Sequence, residues 1–216
     1  MNKKELTKLL SYFIMGDGGV YVTKQNAKFV MNMKAENKDY IDWVDNVLSE
    51  ITGTKQYERK DYNADGCTRQ PQIRLESNCH PMLTTLRDRI YTDGYKGIDP
   101  HALKLLDWEA MAILYMCDGC LHEDKPNPKK GLVNSSWNLT LNMKRLSYGD
   151  QLLLKEAIRD TLGMEFNINR HGKYYYMRLR SKDVEQFCVN VLPYIKDSFS
   201  YKIRMLDPAI AGGEIV

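Results

Sequence analysis

Several features are missing from this chain, and each absence excludes a class of protein. No run of about 18 apolar residues occurs, which argues against a membrane-spanning helix and a membrane partner. The first residues, Met1 to Glu5, lack an apolar secretion segment behind their charges. The five cysteines are odd in number and mostly scattered, as is typical of a reducing compartment. We therefore expect an intracellular protein, in the cytoplasm or, if the gene is organellar, in an organelle matrix.

The usual metal and nucleophile motifs are also missing. Cys117 and Cys120 form a C-x-x-C, but no second pair and no suitably spaced histidines accompany them. The four histidines form no H-E-x-x-H or comparable spacing. Zinc is therefore not indicated, and Cys117 is better explained as a small core residue.

Two apolar helical segments end on the same dipeptide, Asp17-Gly18 and Asp118-Gly119, 101 residues apart. Helical periodicity puts each acid at the end of the apolar stripe by which its helix would pack. If the two helices pack on each other across a pseudo-dyad, the acids end side by side, and the small residues Gly16 and Cys117 permit close approach. Two unpaired carboxylates so placed repel each other. A hard divalent cation removes that cost, and Mg²⁺ is the expected ion.

Other short strings recur in the same order, which indicates a duplication. The offsets between copies are 101, 110, 104 and 106, as loop insertions and deletions would produce. Two copies of a small domain fused into a pseudo-dimer fit this period. Besides the two Asp-Gly pairs, the repeated strings are Asn32-Met33-Lys34 with Asn142-Met143-Lys144, Arg74-Leu75-Glu76-Ser77 with Arg178-Leu179-Arg180-Ser181, and Tyr95-Lys96 with Tyr201-Lys202.

Apolar periodicity predicts the same order of elements in both halves, α-β-β-α-β-β-α, although the opening strand of the first hairpin is poorly defined. In the first half, the predicted helices cover 4–16, 39–51 and 80–91, and the strands 27–34, 55–61 and 70–77. In the second half, the helices cover 108–117, 148–162 and 183–196, and the strands 137–144, 165–170 and 174–180. The fold class is therefore α+β, with antiparallel sheets backed by helices.

The basic residues are unevenly distributed. Residues 122–182 hold 12 Lys/Arg against 6 Asp/Glu, whereas the remainder holds 19 against 22. Each predicted sheet has one apolar face and one face rich in Lys, Arg, Asn and Gln, and residues 122–136 add a Lys-, Pro- and Asn-rich loop. Such a face suits the DNA major groove, where Arg and Lys meet guanine and Asn and Gln meet adenine.

The two apolar segments ending in Asp-Gly resemble the LAGLIDADG motif, and the chain is similar to monomeric two-repeat LAGLIDADG homing endonucleases from about Leu6 to Arg204. The residues before the acids, Met15-Gly16 and Met116-Cys117, depart from the family pattern, in which another acid and a small residue are frequent. The resemblance implies two pseudo-symmetric repeats that together form a DNA-binding saddle. By position, we expect an N-terminal repeat over 1–99, a C-terminal repeat over 100–208 and a loose tail over 209–216.

The resemblance also implies a chemistry. Asp17 and Asp118 match the metal-binding acids, with the carbonyls of Gly16 and Cys117 as extra ligands for Mg²⁺ or, as a substitute, Mn²⁺. Lys96 and Lys202 match basic residues that order solvent near the scissile phosphates. The family cuts both strands across the minor groove and leaves 3′ overhangs, with water as the nucleophile.

The expected target is double-stranded DNA with a long, asymmetric site, because the two halves differ at most outward positions. No intein splicing residues frame the chain, so we expect a free-standing or intron-borne protein acting in intron homing. The alternatives are an RNA-binding intron maturase, a cleavage-inactive DNA binder of the same fold, and a plain interaction module whose acids are salt-bridged. The residues expected to contact DNA are Lys28, Asn32, Lys34, Gln70, Gln72 and Arg74 in the first half, Asn138, Thr140, Asn142, Arg178 and Arg180 in the second, and Lys125, Lys129 and Lys130 on the extra loop.

Overall fold

The computed structural model describes residues 1–59, 70–126 and 135–206. It divides into two compact units, Met1–Ala102 with Lys196–Ser198, and Leu103–Ile195 with Phe199–Val216. Both units consist of helices and antiparallel strands, so the predicted α+β class is confirmed. Within the described residues, none of the helices is long and apolar enough to cross a membrane.

Unit 1 has the predicted order, including the opening strand that the sequence defined poorly. The sequence Asn63-Ala64-Asp65-Gly66 predicts a turn between two strands of this unit, and it lies outside the described residues. The elements are α1 (Lys3–Met15), β1 (Gly19–Thr23), β2 (Asn26–Lys34), α2 (Lys38–Ser49), β3 (Thr54–Arg59), β4 (Gln72–Ser77) and α3 (Pro81–Ile90), followed by a short hairpin of β5 (Tyr91–Thr92) and β6 (Tyr95–Lys96).

Unit 2 repeats this order after a short helix, α4 (Pro100–Leu103), at the junction. Gly163 caps a helix C-terminus with a φ of 68°, as glycine commonly does, and Pro193 falls where the last α-helix ends. The elements are α5 (Trp108–Asp118), β7 (Gly119–Asp124), β8 (Ser136–Leu141), α6 (Tyr148–Leu162), β9 (Phe166–His171), β10 (Tyr174–Leu179) and α7 (Val184–Val191).

The two sheets have equivalent strand orders, β1-β2-β4-β3 in unit 1 and β7-β8-β10-β9 in unit 2. Their registers correct one of the sequence matches. Val30 pairs with Glu76 in the first sheet, and the equivalent Thr140 pairs with Arg178 in the second. Glu76, rather than Arg74, is therefore the structural counterpart of Arg178, and the two sheets carry opposite charges at this position.

Each unit has its own aromatic core beneath its sheet. In unit 1, the Phe13 ring meets Trp43 edge-on, with 5.0 Å between ring centroids. In unit 2, Phe187 meets Tyr115 in the same manner at 5.2 Å. All but Trp43 are fully buried, and aromatic pairs of this geometry stabilise a core beyond their buried area. The helices that end on the two acids are thus fixed by packing within their own units.

A segment from near the end of the chain belongs to unit 1. Ser198 donates to the Asp39 carboxylate from its backbone nitrogen at 3.0 Å and from its hydroxyl at 2.5 Å. The Lys196 ammonium lies 4.1 Å from the centre of the Trp43 ring, a cation–π contact. The first unit is therefore completed by residues that follow nearly all of the second unit in sequence.

Candidate metal-binding acids and nucleic-acid interface

The sequence suggested that Asp17 lies on the last turn of a helix, but in the structure it lies just beyond the end of that helix. α1 ends at Met15, Gly16 is its C-cap, and Asp17 is exposed. Gly18 turns back against the helix, with its nitrogen donating to the Phe13 carbonyl at 2.9 Å. A Cβ at Gly18 would stand 2.6 Å from that carbonyl oxygen, so only glycine fits beneath the first acid.

In unit 2, the acid is the last residue of α5, and Gly119 is the C-cap. A Cβ at Gly119 would stand 2.0 Å from the Tyr115 ring and 2.4 Å from the Tyr115 carbonyl oxygen. The Asn142 nitrogen donates to the Asp118 carbonyl at 2.8 Å and ties this turn to the strand region that follows β8. The glycine of each Asp-Gly pair is therefore required by close packing against its own helix.

Lys96 holds the helix terminus of unit 1. Its ammonium donates to the carbonyl of Gly16 at 3.0 Å and to that of Gly18 at 2.5 Å. The last carbonyls of a helix lack partners within the helix and carry partial negative charge, so a cation there stabilises the end. The two carbonyls bracket Asp17 in sequence, and Lys96 therefore fixes the backbone on both sides of the acid.

Lys202 does the same in unit 2 and is more deeply buried, at 8% exposed. Its ammonium donates to the carbonyls of Met116 at 2.6 Å, Gly119 at 2.8 Å and Tyr115 at 3.2 Å. The sequence predicted lysines that order solvent near phosphates, whereas the structure shows both ammoniums bound to main-chain carbonyls. Their direct role in cleavage stays a prediction.

The two acids differ in their surroundings. In unit 2, Arg145 bonds to the Asp118 carboxylate through two nitrogens, at 2.7 Å and 3.4 Å. Among the residues that the structure describes, Asp17 forms no hydrogen bond and no ion pair. The expectation of an unpaired carboxylate is therefore wrong for Asp118.

A hydrated hard cation fits the donors at these termini, and zinc does not. In the described parts of the chain, no group of three or more His, Cys, Asp or Glu side chains is placed to hold a metal ion. Each of the two helix termini offers a single carboxylate. This suits Mg²⁺, because the ion keeps several waters and is usually bound by one or two carboxylates. The Gly16 carbonyl already accepts from Lys96. The metal-binding roles of Gly16 and Cys117 stay predictions.

The sheet of unit 1 presents the predicted polar face. Strand pairing puts Lys28, Asn32, Lys34, Gln72 and Arg74 on one side, opposite the buried Phe29, Met31 and Met33 side chains. Gln70 is exposed but precedes β4.

An acid lies at the centre of this polar face. Glu76 accepts from the Lys28 ammonium at 2.8 Å and from the Arg74 guanidinium. The hydrogen bond from Lys28, followed by that from Arg74, holds the pKa of Glu76 below its usual range. Two of the predicted DNA-contacting cations are thus fixed by one internal carboxylate.

The polar face of unit 2 corrects the expectation for Asn138. Asn138 is only 1% exposed, because its amide donates to Asp124 and accepts from Arg178. It therefore positions Arg178 and is not accessible as a base reader. Thr140 and Asn142 are half-buried, and Arg178 is exposed on the same face.

The remaining predicted cations fall at the margins of the two sheets. Lys34 lies 3.2 Å from Glu36, and Arg180 lies 2.9 Å from Asp183 just after β10. Lys125 is exposed after β7. Lys129 and Lys130 lie outside the described residues.

Sequence reasoning missed several outward residues that strand pairing now identifies. In unit 2, Asn167 pairs with Arg178, and Asn169 pairs with Tyr176. The alternation of Asn167 and Asn169 with Phe166 and Ile168 was visible in the sequence and predicts this face. Among the described residues of unit 1, the outward residues that were not predicted include Tyr21, Lys55 and Tyr57. Lys55 and Tyr57 border a pocket of about 340 Å³ beside Lys28 and Glu76.

The chain is similar to parts of several longer proteins. An uncharacterised protein, MJ1098, from Methanocaldococcus jannaschii is 31% identical over 133 residues, 61% of this chain and 48% of the relative. The protein RecA of Mycolicibacterium flavescens is 26% identical over 196 residues, 88% of this chain and 44% of the relative. The chain therefore spans about half the length of the curated relatives it matches.

Solved structures share the fold over most of the chain. The homing endonuclease I-WcaI, bound to its DNA recognition sequence, superposes with a TM-score of 0.75 at 22% identity, covering 93% of this chain and 86% of that chain. The meganuclease I-AabMI, bound to uncleaved DNA, gives a TM-score of 0.60 at 12% identity, covering 98% and 91%.

A profile of the LAGLIDADG DNA endonuclease family matches residues 10–187, which include both Asp-Gly termini and both sheets. The chain therefore belongs to the LAGLIDADG DNA endonuclease family.

Proposed function

We propose that this protein is a site-specific double-strand DNA endonuclease that uses divalent metal ions at Asp17 and Asp118. The observation that carries the proposal is the repeated helix terminus. In both units, an Asp-Gly lies at a helix end or just beyond it, and its glycine carbonyl accepts a hydrogen bond from a distant lysine. An acid fixed on a rigid backbone beside a cationic sheet face suits metal-assisted hydrolysis of a polyanion.

In keeping with its family, we expect hydrolysis of both strands across the minor groove, with 3′ overhangs. Mg²⁺ is the expected ion, with Mn²⁺ as a substitute, and it would supply Lewis-acid stabilisation of charge at the phosphate. The opposite charges of Glu76 and Arg178 at equivalent sheet positions support a long, asymmetric target, because the two polar faces cannot read the same half-site. A monomer acting in intron homing is part of the same proposal.

The test uses plasmids that carry the DNA sequences from both sides of the protein's own gene. The two flanking sequences are joined directly, as in a copy of the locus that lacks the gene. Incubation with Mg²⁺ should linearise such a plasmid at one position, and EDTA should prevent it. A plasmid with unrelated DNA of equal length is the control. Absence of cutting at every Mg²⁺ and Mn²⁺ concentration would contradict the proposal.

Glu76 provides a test of the proposed DNA-binding face. Glu76→Gln keeps the side-chain shape but frees Lys28 and Arg74 from a carboxylate. If both cations then contact phosphates, DNA binding should tighten at low salt, and the slope of log K against log salt should steepen by about 1 to 2. Fluorescence anisotropy on a non-specific duplex at several KCl concentrations measures this slope.

Glu58→Gln is the matched control, because Glu58 is an exposed residue of β3 that pairs with Ile73 and belongs to the opposite face. The same charge change there should leave the salt slope nearly unchanged. Equal slopes for both variants and the wild type would exclude this sheet face from DNA contact.

A second candidate function is supported by one observation. Arg145 satisfies the Asp118 carboxylate without a metal ion, as expected of a cleavage-inactive binder. An RNA-binding maturase of the same fold is a related possibility. Sequence-specific DNA binding without cutting in Mg²⁺ would favour the inactive binder, whereas metal-independent binding of intron RNA would favour the maturase.

A further inference from the structure

We propose that Arg145 is an internal counter-ion that competes with the metal ion for Asp118 and makes the two acids unequal in cation affinity. This inference rests on the proposed function, because it concerns the same acids. The Arg145 guanidinium contacts both oxygens of the Asp118 carboxylate, at 2.7 Å and 3.4 Å. An ion at Asp118 must therefore displace a bound guanidinium, whereas none of the described residues forms a hydrogen bond or ion pair with the Asp17 carboxylate.

The partial burial of the pair strengthens this competition. The Asp118 side chain is 12% exposed and the Arg145 side chain 32%. A carboxylate shielded from water loses hydration and therefore depends more on its ion-pair partner. A guanidinium stays charged at neutral pH and can contact both carboxylate oxygens, which makes it a strong partner.

The first repeat lacks this device because its sequence differs at one position. The repeated string Asn32-Met33-Lys34 is followed by Ala35, whereas Asn142-Met143-Lys144 is followed by Arg145. The strand registers support this alignment, since Gly19 pairs with Val30 and the equivalent Cys120 pairs with Thr140. The asymmetry is therefore built into the sequence of the second repeat.

Binding of Mn²⁺ alone to the full-length protein tests the inference without any cleavage. Asp17→Asn and Asp118→Asn identify which part of the binding depends on each acid. Arg145→Ala should raise the Mn²⁺ affinity of the Asp118-dependent part by roughly threefold to tenfold. The Asp17-dependent part should stay unchanged. Titration calorimetry, together with the electron paramagnetic resonance signal of free Mn²⁺, measures both.

Arg159→Ala is the matched control, because the Arg159 guanidinium pairs with the Asp160 carboxylate at 2.8 Å in the same unit. It removes an equal charge from an equivalent ion pair and should not change Mn²⁺ binding at Asp118. Arg145→Gln, which keeps most of the side-chain volume, should reproduce the alanine result if alanine disturbs folding. Circular dichroism establishes that each variant is folded.

An Asp118-dependent affinity that is unchanged or weaker in both Arg145 variants would overturn the inference, whether or not the wild type binds Mn²⁺ there. Failure of the proposed function is a separate outcome. It would appear as an absence of cleavage in the plasmid assay. Cleavage together with unaltered Mn²⁺ affinity in the Arg145 variants would instead contradict the proposed role of Arg145 and leave the proposed function in place.

Discussion

Asp17→Asn should abolish double-strand cleavage while leaving DNA binding in place. The amide keeps the size of the side chain but removes the charge that holds a divalent ion. Lewis-acid stabilisation by a metal is worth several kcal/mol, and each 1.36 kcal/mol is a factor of ten in rate, so a loss of about 10³-fold or more is expected. Because Asp17 is exposed, removing its negative charge should not weaken binding to a polyanion. Cleavage rates and anisotropy binding curves on one target duplex measure both quantities.

Asp93→Asn is the control for this variant. Asp93 is another exposed acid of unit 1 that precedes a glycine, in the turn between β5 and β6, and its φ of 51° is one that Asn also adopts. Cleavage should be nearly unchanged. Asp118→Asn should behave like Asp17→Asn, with Asp183→Asn as its control. Full cleavage by either motif variant would remove that acid from the proposed mechanism.

Gly119→Ala should cause a large loss of stability. The added Cβ would stand 2.0 Å from the Tyr115 ring and 2.4 Å from its carbonyl oxygen, so backbone as well as side chain must move. Overpacking of this kind costs about 2 to 3 kcal/mol, which corresponds to a fall in Tm of roughly 4 to 12 °C. Because Asp118 precedes this glycine, a shift of about 1 Å would also reduce cleavage about 100-fold.

Gly149→Ala provides the comparison, since Gly149 lies in the first turn of α6 and its added Cβ would meet only the Ser147 hydroxyl at 3.8 Å. Alanine there should be neutral or stabilise by about 0.5 kcal/mol. Thermal unfolding followed by circular dichroism distinguishes the two variants. Similar Tm values would show that the helix end relaxes without cost and that the close approach at Gly119 is unimportant.

The fold was predictable because its signals are local. Helical periodicity in residues 4–16 and strand alternation in 27–34 depend on neighbours a few positions apart, and both elements form as expected. The two Asp-Gly dipeptides were equally easy to recognise, since the signal that ends a helix depends on adjacent residues. These local signals do not predict which residues from distant parts of the chain contact a given helix or strand.

Several features that the sequence did not predict depend on contacts between residues far apart in the chain. Lys202 is 83 residues from the Gly119 carbonyl that it holds, and Arg145 is 27 residues from Asp118. A sequence match aligned Arg74 with Arg178. Strand register depends on which face is buried and on turn geometry, and the observed register makes Glu76 the counterpart of Arg178. Asn138 has the strand parity of an outward residue, yet Asp124 and Arg178 cover it.

The contact between Ser198 and Asp39 bears on biosynthesis. Residues 196–198 are translated after almost the whole of the second repeat, so the first repeat emerges from the ribosome without the groups that satisfy Asp39 and cover Trp43. Its final consolidation must wait until nearly all of the second repeat has been translated. A nascent chain stalled before residue 196 should therefore hold a first repeat that proteases attack more readily than they do in the released protein.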